Sequence, residues 1–548
     1  LVDHRHEIFR DEDYAPLYCS NNGRNSVPPS ILATACVLQS YHRTSDEETV
    51  QRATYDVRWC VALGTELAEQ PFAKSTLQEF RAKLILNDRA LHIFQRSLAY
   101  AREKGYLKSR KMRVAMDTTH ILGKGAVKDT YNLLADGIKK LYTCLKHQDA
   151  PGLIEKFKEK FKRYFGKSFK GEANIDWDDE TARQRLLNEL ADDATALLAL
   201  AKQTIATADS DEEKINTIRK AAQLLSQLLL QDIQTDEEGQ AQIIRGVSQD
   251  RIVSTTDPEM RHGRKSSKNR FDGHKAAIAT DLDSELITAV DVVAGNAHDG
   301  ETATSMVEKS QENTGNQVES AVGDCAYGTA EVREQFEESE TELVAKVPKS
   351  PRSDHFTKHD FEIDLENKKV TCPQGHTTTN YRTVNVPFGK KKAKRATLKF
   401  IFPGEVCAAC GLRQVCIRSK QQTGKIIQLH PREDLLQKAR AKAATESFEE
   451  HYQERVAVEH SIARLVQRGI RQSRFFGRKR TLWQVALAAA VVNFKQIATK
   501  EAEVKQRLRR FLRYILHGLQ ELACRIRSAS NWLADAPALT QMVYMHTL

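Results

Sequence analysis

Cysteine is scarce, with 10 residues in 548, too few for a small secreted domain built on a disulfide framework. A reducing, cytoplasmic compartment is the expectation. Long hydrophobic runs are missing too, and a spanning helix needs about eighteen or more consecutive apolar residues. The best stretch, Leu482 to Ile497, is broken by Gln484, Asn493 and Lys495 and reads as a buried helix. No membrane partner is expected. The first residues lack a basic-then-apolar signal pattern. The chain starts at Leu1 and not Met, so a few residues are expected to precede it. No internal repeat is evident.

What is present is an ordinary globular composition. Hydrophobic residues make up 40% and charged residues 28%, which excludes a disordered chain or a collagen-like fibre. Lys and Arg number 83 against 73 Asp and Glu, a formal net charge of +10. At roughly 150 residues per domain the length allows about three or four domains.

Residues 1–105 read as a helical domain. Ser30 precedes the apolar run Ile31 to Leu38, and Ser45-Asp46-Glu47-Glu48 and Ser75-Thr76-Leu77-Gln78 have the form of capping boxes. Residues 106–130 switch to strand character around Asp117-Thr118-Thr119. Residues 131–250 are predicted helical, with stripes at Ile154, Phe157, Phe161 and Phe165, at Leu186, Leu187, Leu190, Ala194, Leu197 and Leu198, and at Ile215, Ile218, Ala222, Leu225 and Leu229. Residues 251–347 give a hairpin through Asp281 to Ser284, a helix, a strand ending at Gly323-Asp324, a helix and a strand, the order of a mixed α/β sheet. Residues 348–431 are basic, β-rich and Cys-bearing. Residues 432–500 are helical, and 501–548 form a basic amphipathic tail whose default is packing on the core.

Two carboxylates stand where strands usually avoid them. Asp117 follows Val114-Ala115-Met116, and Asp324 follows Ala321-Val322-Gly323. Asp neither packs on a pleated face nor tolerates burial without a partner. Either alone could end a strand or cap a helix; on adjacent strands the pair would share one sheet edge. Glu459 is the third acid. Tyr452, Arg455 and Glu459, offset by three and four, are expected on one helical face.

These segments resemble the DDE transposases of bacterial insertion sequences, in the group related to insertion sequences four and five. Ala115-Met116-Asp117-Thr118-Thr119 resembles the first acidic motif, Val322-Gly323-Asp324-Cys325-Ala326-Tyr327-Gly328 the second, and Tyr452, Arg455 and Glu459 the third. Thr256-Asp257-Pro258-Glu259 and Gly295-Asn296-Ala297-His298-Asp299 resemble further segments of the group, and the N-terminal helices resemble the domain preceding the core. One departure is Val466, where the family carries a Lys.

The resemblance implies an RNase H-like mixed-sheet core with an N-terminal helical domain, a helical insertion and a β-rich Cys-containing insertion. It implies Asp117, Asp324 and Glu459 as catalytic ligands of two Mg²⁺ (or Mn²⁺) ions, in the two-metal scheme for phosphoryl transfer. Implied partners are DNA, as terminal inverted repeats and target, and a second copy in the DNA complex, acting at the nucleoid. The rivals are an RNase H-like nuclease without strand transfer and a domesticated, non-catalytic DNA-binding protein. His298 is either structural or close to the catalytic centre.

Arg261, Arg264, Lys265, Lys268, Arg270 and Lys275 form a basic loop nearly free of acids, read as a DNA contact. Lys390 to Arg395 form a second run. Tyr452, Arg455, Arg464 and Arg468 belong to a third set of DNA candidates. Cys372, Cys407, Cys410 and Cys416 resemble a zinc-ribbon set, with His376 as a substitute ligand and free thiols as the alternative. The remaining six Cys read as small core residues.

Overall fold

A computed structural model describes residues 1–18, 26–108, 110–147, 158–207, 212–246, 248–266, 268–349, 354–389, 393–418 and 423–534, without the side chains of 518 and 523–534. Ile154, Phe157, Ser267 and Lys390 to Lys392 lie outside the described residues.

The N-terminal part is helical: α1 (Pro29–His42), α2 (Asp46–Tyr55), α3 (Val57–Leu63), α4 (Lys74–Leu86) and α5 (His92–Glu103). Helix α1 starts two residues before Ile31, because Pro29 takes the first-turn position that proline favours. Ser30 is thus inside the helix, and its amide donates to Asp11 Oδ1 at 2.8 Å. Ser45 caps α2, accepting from the Glu48 amide at 3.1 Å. The Glu48 carboxylate turns instead to Arg52, so the box is half formed. The Ser75 box does not form, since α4 begins at Lys74 behind Ala73.

The sheet follows: β1 (Met112–Leu122), β2 (Arg261–Arg264), β3 (Arg270–Asp281), β4 (Ile287–Ala294), β5 (Val318–Val322) and β6 (Glu342–Val344). Its spatial order is β2-β3-β1-β5-β6, with β4 also paired to β3. Strand β1 lies antiparallel to β3 and parallel to β5. Both faces of β1 are covered, so Met112, Val114, Ala115 and Met116 are all buried, as in a central strand of a layered α/β sheet. The predicted hairpin is β3–β4. The basic loop is a correction: Arg261 to Arg270 form a second hairpin, β2–β3. Helices α9 (Ala303–Thr314) and α10 (Ala330–Glu337) connect the later strands.

Two insertions leave this frame. The first carries α6 (Thr130–Lys146), α7 (Glu180–Thr207) and α8 (Glu212–Asp232), with a short hairpin, Ile233–Thr235 and Ala241–Ile243, not foreseen in a helical segment. Leu134, Leu141, Leu190, Leu197 and Leu225 build its own core, separate from that of the sheet. Phe161 is buried there, but Phe165 stands exposed, because Lys162–Phe165 is a tight 3₁₀ turn and not a continued helix. The foot of the insertion is closed by Asp232: Arg251 Nε and a terminal guanidinium nitrogen reach its two oxygens at 2.8 and 2.7 Å, and Thr130 Oγ1 donates at 2.9 Å. The second insertion contains two three-stranded sheets, β7 (Glu362–Asp364), β8 (Lys369–Thr371) and β9 (Thr377–Thr378), then β10 (Tyr381–Phe388), β11 (Ala393–Ile401) and β12 (Ile426–Gln428).

Helices α11 (Glu433–Ala443), α12 (Glu446–Gln453), α13 (Val456–Gln467) and α14 (Arg478–Ala534) complete the fold. Trp483, Val485, Ala489 and Val492 of α14 bury against the same core as α1, α5 and the sheet, so the N-terminal helices and the sheet share one interior. Two corrections apply to the tail. It is not a separate element, since α14 runs unbroken from the core through Ala534. Nor does its described apolar stripe pack: Val504, Leu508, Phe511, Leu512, Ile515 and Leu519 are exposed.

Candidate active site and nucleic-acid interface

The pairing of β1 with β5 decides where the first two acids meet. Ala115 lies opposite Val322 in parallel register, and Asp117 and Asp324 each follow two residues later. Asp324 sits just past the strand and caps a 3₁₀ turn, accepting from the Ala326 amide at 2.8 Å. Gly323 makes this turn possible: a Cβ there would come within 2.7 Å of the Tyr327 ring. Val322, Val344 and Phe448 pack together beside it, and Tyr452 lies on that cluster. The helices bearing the third acid are thereby anchored over the ends of β5 and β6.

The Tyr452 to Glu459 segment corrects the single-face expectation. Helix α12 ends at Gln453 and α13 begins at Val456. The amides of Glu454, Arg455, Ala457 and Val458 bond three residues back, tightening the chain into a 3₁₀-type break. Arg455 nevertheless bridges it, donating to Glu459 Oε1 at 2.6 Å while standing 5.5 Å over the Tyr452 ring. Lys346 covers the same ring at 4.4 Å.

Electrostatics tie the acids together. Burial pushes the Asp117 carboxyl up to about 6, the Thr118 amide opposes this, and the charges of Asp324, Asp299 and Glu459 add to the rise. Four carboxylates therefore share one field. Asp299 is the one that residue reasoning did not single out as an acid. Its Oδ1 accepts from Thr118 Oγ1 at 2.7 Å and from Lys275 Nζ at 2.8 Å. The signal was its place within Gly295-Asn296-Ala297-His298-Asp299. His298 is exposed and caps the following turn, its Nδ1 facing the Gly300 amide at 3.3 Å.

A carboxylate cluster with a raised pKa in its midst suits a hard divalent cation by charge and donor type. Among the described residues, however, no three His, Cys, Asp or Glu side chains converge tightly enough to hold an ion as they stand. That holds for the acids and the cysteines alike.

The basic residues divide by environment. Arg264, Lys265, Lys268 and Arg270 are exposed on the β2–β3 hairpin. Arg261 folds back onto the Pro258 and Met260 carbonyls at 2.6 and 2.8 Å, and Lys275 is held by Asp299 and the Ala297 carbonyl. Both are engaged within the protein, because each lies where the hairpin joins the sheet. Arg464 reaches Glu285 at 3.2 Å, and Arg468 donates to the Tyr41 carbonyl at 2.9 Å. Val466 packs on the core. The Thr256 to Glu259 motif is a strut: the Gly477 amide donates to Asp257 at 3.0 Å and the Arg478 amide to Glu259 at 2.6 Å, capping α14.

In the second insertion none of the four predicted cysteines is in a disulfide. Burial raises the Cys416 thiol, Lys425 opposes, and Cys407, Cys410 and Cys372 raise it further, so the four are neighbours. The Lys425 amide points at Cys407 Sγ, 3.4 Å away, and Gly375 bonds back to the Cys372 carbonyl in a tight turn. Of the scattered cysteines, Cys36 and Cys60 are buried as expected, whereas Cys325 is exposed beside Asp324. No described helix is long and apolar enough to cross a membrane.

Comparison with known proteins adds family evidence at both ends. Residues 371–498 match the family described as Transposase DDE domain, and residues 1–83 match the transposase domain DUF772. No curated protein and no solved structure matches. The first family implies an RNase H-like fold, and the mixed sheet, in which β1 to β4 pair antiparallel and β5 and β6 run parallel to β1, agrees with it. Together the two matches support this chain as a DDE transposase of the insertion-sequence type.

Proposed function

We propose that the protein binds the terminal inverted repeats of its element and carries out metal-dependent strand cleavage and strand transfer, working as a homodimer on bacterial DNA. The observation that carries this reading is the common field of Asp117, Asp324 and Glu459, felt by Asp117 as a raised pKa. Asp117, Asp324 and Glu459 would hold Mg²⁺ or Mn²⁺, with Asp299 close by. Such ions, when bound, supply charge beside the attacking and leaving oxygens of an in-line displacement.

The chain's own groups perform the remaining tasks. Thr118 and Lys275 both donate to Asp299 Oδ1, which fixes that carboxylate beside the residue that follows Asp117. Arg455, stacked on Tyr452, offers a guanidinium to a DNA phosphate next to Glu459. The exposed basic hairpin, Arg264 to Arg270, and Arg464 and Arg468 give further backbone contacts. In the second insertion Cys372, Cys407, Cys410 and Cys416 fit a structural Zn²⁺: they are mutual neighbours, and an amide already points at one sulfur.

The test is cleavage and joining of a plasmid carrying the element's ends. Asp117→Asn and Asp324→Asn should lose both products and still retard the end fragment. Cleavage by either variant at the wild-type rate would remove the mechanism. Cut but unjoined products from the wild type would favour a nuclease.

A further inference from the structure

A cavity of about 400 Å³ opens between the N-terminal helices and the segment joining α13 to α14. Its lining includes Arg43, Arg81, Arg468 and Arg474, with Gln39 and Phe475, and contains no Asp or Glu. Arg81 is taken: it clamps Asp46 at 2.6 Å and donates to Gln39. The other three differ. Among the described residues none of Arg43, Arg468 and Arg474 forms an ion pair. Arg468 and Arg474 donate only to backbone carbonyls, of Tyr41 and Thr44.

The backbone holds the cluster in place at some conformational cost. Arg43 ends α1 with φ +60°, a conformation uncommon for a side-chain-bearing residue. Across the seam Gly469 has φ +89°, and a Cβ on it would meet Arg43 Nε at 3.0 Å. A glycine there lets the Arg43 guanidinium lie against the backbone and face Arg474. Asp46, already clamped by Arg81, is the one carboxylate whose charge reaches Arg474, so three guanidinium groups without an ion pair of their own leave room for an anion from outside. Planar forked donors select phosphate or carboxylate.

Resting on the proposed function, we infer that this cavity seats phosphates of the DNA strand flanking the bond to be cut. Arg468 stands nine residues beyond Glu459, with α13 between them, about 13 Å along the helix at 1.5 Å per residue. Glu459 and the cavity thus stand near opposite ends of α13, close enough for one bound strand to reach both. The N-terminal helices thus contribute Arg43 to the same strand that the sheet positions for cleavage.

The test uses the full chain in EDTA, with a short duplex of arbitrary sequence as probe, titrated across a salt series. Each phosphate contact steepens the plot of log affinity against log salt by about 0.9. Arg43→Gly with Arg474→Gln should flatten the slope by about 1.8 and weaken binding, and Arg43→Lys with Arg474→Lys should restore most of it. Glycine suits the positive φ of position 43. Should the double variant fail to fold, Arg474→Gln alone, an exposed position, should flatten the slope by about 0.9. A wild-type slope in the folded Gln variants overturns the inference. So does inorganic pyrophosphate binding that those variants lose while their DNA slope is unchanged, since the cavity would then serve a small anion. Because the assay involves no cleavage, a failed Asp117→Asn experiment and a failed slope experiment are separate results.

Discussion

Arg113 lies four residues before Asp117 on β1, and one of its guanidinium nitrogens contacts both carboxylate oxygens of Glu454, at 2.9 and 3.0 Å, five residues before Glu459. The strand that carries the first acid is thus tied to the break that aims the third. Arg113 also contacts Asp283 at 3.2 Å. In a double-mutant cycle, Arg113→Ala and Glu454→Ala should couple by about 1 kcal/mol, the range for partly exposed pairs in contact. Both single variants should also cleave more slowly. Additive stabilities with normal cleavage would mean that the tie is idle.

Asp117 predicts an unusual stability profile in the absence of divalent ions. Its folded pKa of about 6 lies above the ordinary carboxylate value of 3.8, so between these values the folded chain binds more protons than the unfolded. Stability therefore falls as pH rises through that window. In EDTA, Asp117→Asn should melt higher than wild type above about pH 6, and the gain should vanish below about pH 4. Adding Mg²⁺ should then raise the melting temperature of the wild type and not of the variant. An equal gain at both pH values would contradict the assignment.

Asp299 predicts a kinetic signature. Removing its charge with Asp299→Asn should bring the Asp117 carboxyl closer to its ordinary value, moving the acid limb of the cleavage profile to lower pH. Asp299→Ala, which also removes the contacts to Thr118 and Lys275, should slow cleavage by about 10- to 100-fold, as for residues that orient metal ligands. A slower enzyme with an unmoved profile would reduce Asp299 to a packing role.

The cysteine module predicts a metal stoichiometry. Purified protein should contain about one zinc per chain, and Cys407→Ser should lose it and melt lower. Metal-free preparations with unaltered melting would leave free thiols as the correct description.

Much of the frame was legible from local chemistry. Val114 to Met116 followed by an acid marked a strand, and Asp281 to Ser284 between apolar runs marked the β3–β4 hairpin. What stayed hidden depends on contacts distant in sequence. The break at Glu454–Arg455 cannot be read from offsets of three and four, because its 3₁₀ bonding goes with a partner on β1. Arg43 and Arg474 lie 431 positions apart, and only the packing of α14 against α1 brings them to one cavity. Ser75 had the right neighbours for a cap, but the helix begins at Lys74, two residues earlier than a Ser75 cap would set it. Asp299 appeared only as part of a motif, since its meaning comes from Thr118 across the sheet.

Where α6 departs from the sheet, a single carboxylate, Asp232, grips the outgoing chain at Thr130 and the returning chain at Arg251. The described residues threaded between those two points bury into an interior of their own. Such a loop of chain can be lengthened, trimmed or exchanged without the sheet registering the change, provided the clasp is kept. A change in the length of that lobe therefore falls outside the interior in which the strand bearing Asp117 is packed.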